Sequence, residues 1–175
     1  MNTKILDTDN TFYNDDRTNK TGESKVYRSI DMGYDFGIKN RDGYKVDKLH
    51  LSTTQGYNFN NSFFAGMGVG LNYISAAGRS LLMVPTFVNL KKYLNPSVVT
   101  PYVEFRGGYS FLLLKLDDSD TGGIYLSPSF RIRYPITDKI GVTGAFGFVY
   151  QQVGDTFIKE SIAINGISLR FGVEF

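Results

Sequence analysis

From Ser24 onward, apolar and polar residues alternate along this chain with a period of two. Between Ser62 and Ser75, Phe63, Ala65, Met67, Val69, Leu71 and Tyr73 fall on one parity, and Phe64, Gly66, Gly68, Gly70 and Asn72 on the other. Such alternation is the signature of a strand with two unlike faces, and no 3.6-residue period competes with it. The pattern recurs. Ile30, Met32, Tyr34, Phe36 and Ile38 oppose Asp31, Gly33 and Asp35, and Leu49, Leu51, Thr53, Tyr57 and Phe59 oppose Lys48, His50 and Ser52. Val103, Phe105, Tyr109 and Phe111 oppose Glu104, Arg106 and Ser110, and Ile132 and Tyr134 oppose Arg131 and Arg133. Ile167, Leu169, Phe171, Val173 and Phe175 oppose Ser168, Arg170, Gly172 and Glu174. The stretch around Leu82–Lys91 alternates less cleanly.

These segments predict about eight strands of roughly ten residues each. Turn chemistry separates them at Asn40–Gly43, Asn60–Ser62, Ala76–Ser80, Asn95–Thr100, Asp117–Gly123, Thr137–Lys139 and Gly154–Glu160. Short connections make sequential strands antiparallel neighbours. The expectation is an all-β, closed, antiparallel up-and-down barrel over residues 25–175, preceded by a polar flexible tail or linker over 1–24.

Parity alone does not say which face is inside, but three arguments do. The apolar faces carry about forty mostly large side chains, and an eight-stranded barrel is only wide enough for its interior to be filled by side chains. Gly66, Gly68 and Gly70 make a poor solvent surface for a strand, yet inside a narrow barrel they leave room for long arms from opposite strands. The mid-strand charges Asp31, Asp35, Lys48, Glu104, Arg106, Arg131, Arg133, Arg170 and Glu174 all share the small, polar parity. Placing them inward and the apolar face toward lipid gives a transmembrane barrel, in which a Lys or Arg on the lipid face at mid-depth costs about 2–4 kcal/mol. The competing reading is a soluble, lipocalin-like carrier with an apolar pocket. Aromatic residues near strand ends, among them Tyr34, Tyr57, Phe63, Tyr73, Tyr109, Tyr134, Tyr150 and Phe175, suit the girdles of a membrane barrel.

Composition narrows the classes further. The 175 residues include 19 Gly, 14 Phe and 12 Tyr, with no Trp and no Cys. Without cysteine there are no disulfides and no thiolate metal sites. Mean hydropathy is −0.18, and no apolar run approaches the roughly 18–20 residues of a membrane helix. No basic n-region followed by an apolar h-region opens the sequence, so export implies a leader already removed. A net charge of +2 with scattered basic residues does not point to nucleic acid.

The span Lys25–Phe175 resembles the small eight-stranded outer-membrane barrels of Gram-negative bacteria. Phe171-Gly172-Val173-Glu174-Phe175 is similar to the carboxyl-terminal assembly signal of that family, and the resemblance implies that Phe171, Val173 and Phe175 are read by the barrel-assembly machinery. Gly56–Tyr73 and Thr100–Phe111 are similar to segments of Bacteroidetes-type outer-membrane barrels. The resemblance implies a bacterial outer-membrane location, contact with membrane lipid, a monomer, and both termini on the periplasmic side.

Candidate chemistry is sparse. The expected site is a lumen charge cluster built on Asp31, Glu104, Arg106, Arg131, Arg133 and Arg170, flanked by an Asp35–Lys48 pair. A tight turn near Arg41–Asp42 sets Asp35 opposite Lys48 and Gly33 opposite His50. A three-residue turn at Asn60–Ser62 sets Phe59 opposite Phe63. The fifth and sixth strands are expected to set Glu104 near Arg133 and Arg106 near Arg131. His50, the single histidine, has Ser52 on its own face, but nucleophilic catalysis also needs an orienting partner and a reachable substrate. His50 is therefore read as a lumen hydrogen-bonding residue, with no enzymatic activity, cofactor or metal. Asp117, Asp118 and Asp120 are read as a solvated loop rather than a Ca²⁺ site. The GxGxG of Gly66–Gly70 lies within a strand and is no nucleotide fingerprint. The function expected is a structural and surface scaffold of the envelope, with a narrow passive pore for ions or small solutes as the alternative.

Overall fold

The computed structural model describes residues 26–38, 45–60, 62–76, 79–95, 98–113, 120–137, 139–155 and 161–175. The expected tail over 1–24, the Asn40–Gly43 turn, and Asp117 and Asp118 lie outside these residues. The long strands are β1 (Val26–Gly37), β2 (Lys48–Asn60), β3 (Phe63–Ala76), β4 (Arg79–Tyr93), β5 (Thr100–Leu112), β7 (Gly123–Pro135), β8 (Gly141–Asp155) and β9 (Ser161–Glu174). A two-residue strand, β6 (Asp120–Thr121), adds to the edge of β8 within the stretch expected to be only a turn.

Each long strand pairs antiparallel with its neighbour, and β9 returns to β1 from Ser29↔Glu174 to Gly37↔Gly166. The eight long strands thus close into a barrel, and closure removes the free edges of a sheet. One end, here the terminal end, carries Val26, Glu174 and the short β2–β3, β4–β5 and β7–β8 connections. The opposite, loop end carries the remaining connections. There Asp47 ties β2 to β1: its carboxylate accepts from the Gly37 amide at 2.9 Å and from the Tyr34 hydroxyl at 3.1 Å. The hydrogen bond donated by the Gly37 amide N–H holds the Asp47 carboxyl below its ordinary range.

Polarity is inverted relative to a soluble barrel. Ile30, Met32, Leu51, Met67, Phe130, Phe146 and Phe171 stand exposed on the outer wall, while Asp31, Lys48, Arg106, Arg131 and Arg170 are buried inside. Tyr34, Phe36, Tyr73 and Tyr109 ring the outer wall toward the loop end, and Tyr57, Phe59, Phe63, Tyr134 and Phe175 toward the terminal end.

Register follows the expected spacing across β1–β2 and along β2–β3 as far as Asn58↔Phe64, and departs from it at the end of β2 and across β5–β7. Asp35 faces Lys48 and Gly33 faces His50 across β1–β2. Phe63 instead faces Asn60, because a bulge between Asn58 and Asn60 displaces Phe59 from the ladder. Their rings still lie 6.3 Å apart. Across β5–β7, Glu104 faces Ser129 and Arg106 faces Ser127, while Arg131 faces Tyr102. The expected pairing was four residues out of step. A slip by an even number keeps every side chain on its own face, so alternation does not detect it.

Two prolines interrupt ladders. The β3–β4 pairing skips from Val69↔Thr86 to Asn72↔Met83 around Pro85, and the β7–β8 pairing skips from Leu126↔Tyr150 to Ser129↔Gly147 around Pro128. Proline offers no N–H to either ladder.

Candidate functional site

Among the described residues, charged and polar side chains concentrate in the lumen, where they form three tiers. At the terminal end, Glu174 accepts from Lys91 Nζ at 2.6 Å and from the Tyr102 hydroxyl at 2.8 Å. Arg133 Nε approaches the other Glu174 oxygen at 3.2 Å. Arg133 therefore belongs to this tier rather than to the central cluster where it was expected. Lys91 Nζ also sits 4.7 Å from the centroid of the Phe64 ring.

The middle tier joins two carboxylates to three guanidinium groups. Asp31 accepts from Arg106 Nη2 at 2.6 Å and from Arg131 Nη2. Glu104 accepts from Arg106 Nη2 at 3.2 Å and, on both oxygens, from Arg131 Nη1 at 3.1 Å. Arg170 Nη1 lies 3.6 Å from Glu104, while its Nη2 donates to Ser127 at 2.9 Å. Asn89, Ser52 and Thr143 complete the network through Glu104, Arg106 and Arg131 respectively. Charge-assisted bonds of this kind are the strong ones. All five charged side chains are buried, so each charge depends on the others rather than on water.

Toward the loop end, Asp35 lies 3.2 Å from Lys48 Nζ and 3.4 Å from His50 Nδ1. Lys48 also donates to Gln151 Oε1 at 2.7 Å, as does Asn72 at 3.1 Å. Gln151 in turn donates to Ser110 at 2.8 Å. Here the alternation missed apolar residues that point inward. Phe87, Tyr125 and Val149 form a buried cluster, and Met83 is buried beside Gln151. Arg106 lies 5.1 Å from the centroid of the Phe87 ring. The signal was present in the sequence: Phe87 and Tyr125 carry the same parity as Asn89 and Ser127, but their type suggests the outer wall.

Glycines make this filling possible, though not only for long basic arms. A Cβ at Gly68 would lie 2.5 Å from the Phe87 ring, and one at Gly66 2.8 Å from the Phe64 ring. Gly33 does leave room for a long arm, since a Cβ there would lie 2.7 Å from both Arg170 Cγ and His50 Cε1.

Six cationic side chains, Lys48, Lys91, Arg106, Arg131, Arg133 and Arg170, meet four carboxylates, Asp31, Asp35, Glu104 and Glu174, in the described lumen. The assembly is suited to holding charge rather than to transferring protons or groups. His50 lies beside Asp35 and Arg170, and Ser52 is engaged by Arg106. The two do not form a nucleophile–base pair. Among the described residues, no cluster of His, Asp and Glu is arranged to hold a metal ion.

No family model matches the chain, and no curated protein matches it. Solved structures do. Neisserial surface protein A is similar with a TM-score of 0.65 at 16% identity, over 85% of this chain and 95% of that one. The outer membrane protein AlkL, solved in lipid bilayers, is similar with a TM-score of 0.53 at 12% identity, over 99% and 93%. OprG from Pseudomonas aeruginosa, also an outer membrane protein, gives 0.50 at 12% identity, over 88% and 98%. At these identities the likeness is one of fold: this chain is a closed eight-stranded antiparallel barrel of the kind found in small Gram-negative outer-membrane proteins.

Proposed function

We propose that the chain is an integral outer-membrane barrel whose role is structural, a rigid envelope scaffold presenting its loops at the surface, with a lumen closed by its own side chains. The observation that carries this reading is the filled cross-section. Arg106, Arg131, Arg170, Tyr102, Lys48, Phe64, Met83 and Gln151 are each almost wholly buried within a barrel of only eight long strands. The inverted polarity supports the membrane location, since an apolar wall of this extent has no counterpart on a soluble monomer. A lipocalin-like carrier requires the apolar parity inside, and here it is outside. In this reading the barrel inserts as a monomer surrounded by lipid, and Phe171, Val173 and Phe175 serve as the handle for the assembly machinery.

A second reading, a narrow passage for water or small ions, draws on one observation. Both ring nitrogens of His50, Nε and Nη1 of Arg170, and Nε of Arg106 and Arg131 receive or donate no hydrogen bond within the protein. Single-channel recording of the full chain in planar bilayers separates the two. The scaffold reading expects baseline current after verified insertion. Long-lived open states overturn it in favour of the passage.

A further inference from the structure

The outer wall carries a furrow that the lumen chemistry does not use. Two rows of side chains run across the strands. In one, Lys92 faces Val103, Val103 faces Phe130, and Phe130 faces Phe146. In the other, Leu90 faces Phe105 and Phe105 faces Pro128, and the row continues through Phe148 opposite Ile167. Between them lies a third row, Lys91–Glu104–Ser129–Gly147, whose side chains point inward or are absent. Its backbone is the floor of the furrow, which encloses about 690 Å³.

The furrow has a direction. Along the first row Lys92 lies one residue from the terminal end of β4, Val103 three from that of β5, and Phe130 and Phe146 five from those of β7 and β8; along the second, Leu90 lies three, Phe105 five, and Pro128, Phe148 and Ile167 seven from the ends of their strands. The groove therefore climbs from the barrel rim toward mid-wall. It crosses from β4 to β9 in four strand spacings, about 19 Å. An acyl chain spans one leaflet, about 15 Å or half of the hydrocarbon core.

At its rim end sits a free cation. Among the residues whose side chains are described, Arg28 and Lys92 are the charged groups on the outer wall within the strands. Arg28 donates to Gln55 at 3.2 Å. Lys92 makes no ion pair or hydrogen bond with any described residue, and it opens the furrow between Phe63 and Val103. An unpaired ammonium at the membrane boundary, leading into an apolar groove of one acyl length, complements an anionic amphiphile.

We propose that this furrow is a binding site for an anionic glycerophospholipid of the leaflet at the terminal end, its phosphate on Lys92 and one acyl chain between the two rows. The proposal rests on the membrane reading above. Because the chain contains no Trp, an introduced Trp reports its surroundings alone. The test places Phe148→Trp in the furrow and Met32→Trp on β1, outside it, each in the full chain refolded into vesicles. The vesicles are mixed phosphatidylcholine and phosphatidylglycerol, with one lipid brominated at a time and folding checked by heat-dependent gel migration.

The site predicts that brominated phosphatidylglycerol quenches the furrow Trp as if enriched about fivefold over the bulk ratio, the scale expected for one lysine at a charged surface. Met32→Trp reports the bulk ratio, and adding Lys92→Gln brings the furrow Trp down to it. Equal ratios at the two positions, or enrichment that survives Lys92→Gln, overturn the proposal. A furrow Trp shielded from both lipids, with a dimer mass in native mass spectrometry, overturns it in favour of a second copy of the chain. Absence of quenching at both positions instead strikes at the membrane reading itself.

Discussion

Arg131 Nη1 donates to both carboxylate oxygens of Glu104, at 3.1 Å each, across strands whose ladder sets Glu104 opposite Ser129 instead. The pair is thus a diagonal contact, and it locks the central tier of the lumen. Glu104 also faces Arg106 and Arg170. Removing its charge leaves Asp31 as the one carboxylate among three guanidinium groups. Breaking a buried pair from one side costs about 3–5 kcal/mol. Glu104→Gln is therefore expected to lower the stability of the lipid-inserted barrel by that order, read as a shift in the urea midpoint. A double variant, Glu104→Gln with Arg131→Met, is expected to lose less than the sum of the two single variants.

The inward aromatic residues give a steric prediction. Phe87 occupies the space that a side chain at Gly68 would need. Gly68→Ala is expected to destabilise by about 1–3 kcal/mol, the usual cost of overpacking. Phe87→Leu in the same chain is expected to recover part of that loss. A neutral Gly68→Ala variant would show that the two groups do not meet.

Lipid contact gives a polarity prediction. Val69 is exposed on the outer wall near the middle of β3. Val69→Arg is expected to cost about 2–4 kcal/mol in vesicles. The same substitution near the rim, at Tyr134, is expected to cost about 0–1 kcal/mol. Equal effects at the two depths would contradict a hydrocarbon layer around the barrel.

At the loop end, the amide of Gly37 and the hydroxyl of Tyr34 favour the ionised form of Asp47. A depressed carboxyl stabilises the contact of Asp47 with Gly37 and Tyr34 above its ordinary range and ceases to do so as pH falls through the lowered value. The Gly37 amide resonance is expected to titrate below the ordinary carboxylate range, and that titration is expected to vanish in Asp47→Asn.

The alternation made faces legible and left contacts obscure, for a physical reason. Parity follows from the pleat, so Asp31, Lys48 and Arg170 share one face by position alone, and the bulk and charge of the two faces put that face inside. The Asp35↔Lys48 pairing follows from a ladder centred, in sequence, between Arg41 and Asp42. The β5–β7 register does not follow from the alternation, because even slips cost nothing in parity, and Arg133 reaches Glu174 rather than Glu104. Phe87 and Tyr125 show the other limit. Residue type pulls an aromatic toward lipid, yet a glycine on the facing strand can hollow out the space that draws it inward. That reciprocity depends on register and is invisible until register is known.

Partition between lipid and buffer decides whether the apolar wall belongs in a membrane. The full chain is diluted from urea into buffer with or without lipid vesicles, then separated by flotation and size exclusion. A membrane barrel floats with the vesicles as a heat-modifiable monomer and precipitates without them. A monodisperse folded monomer in plain buffer would contradict a place in the membrane.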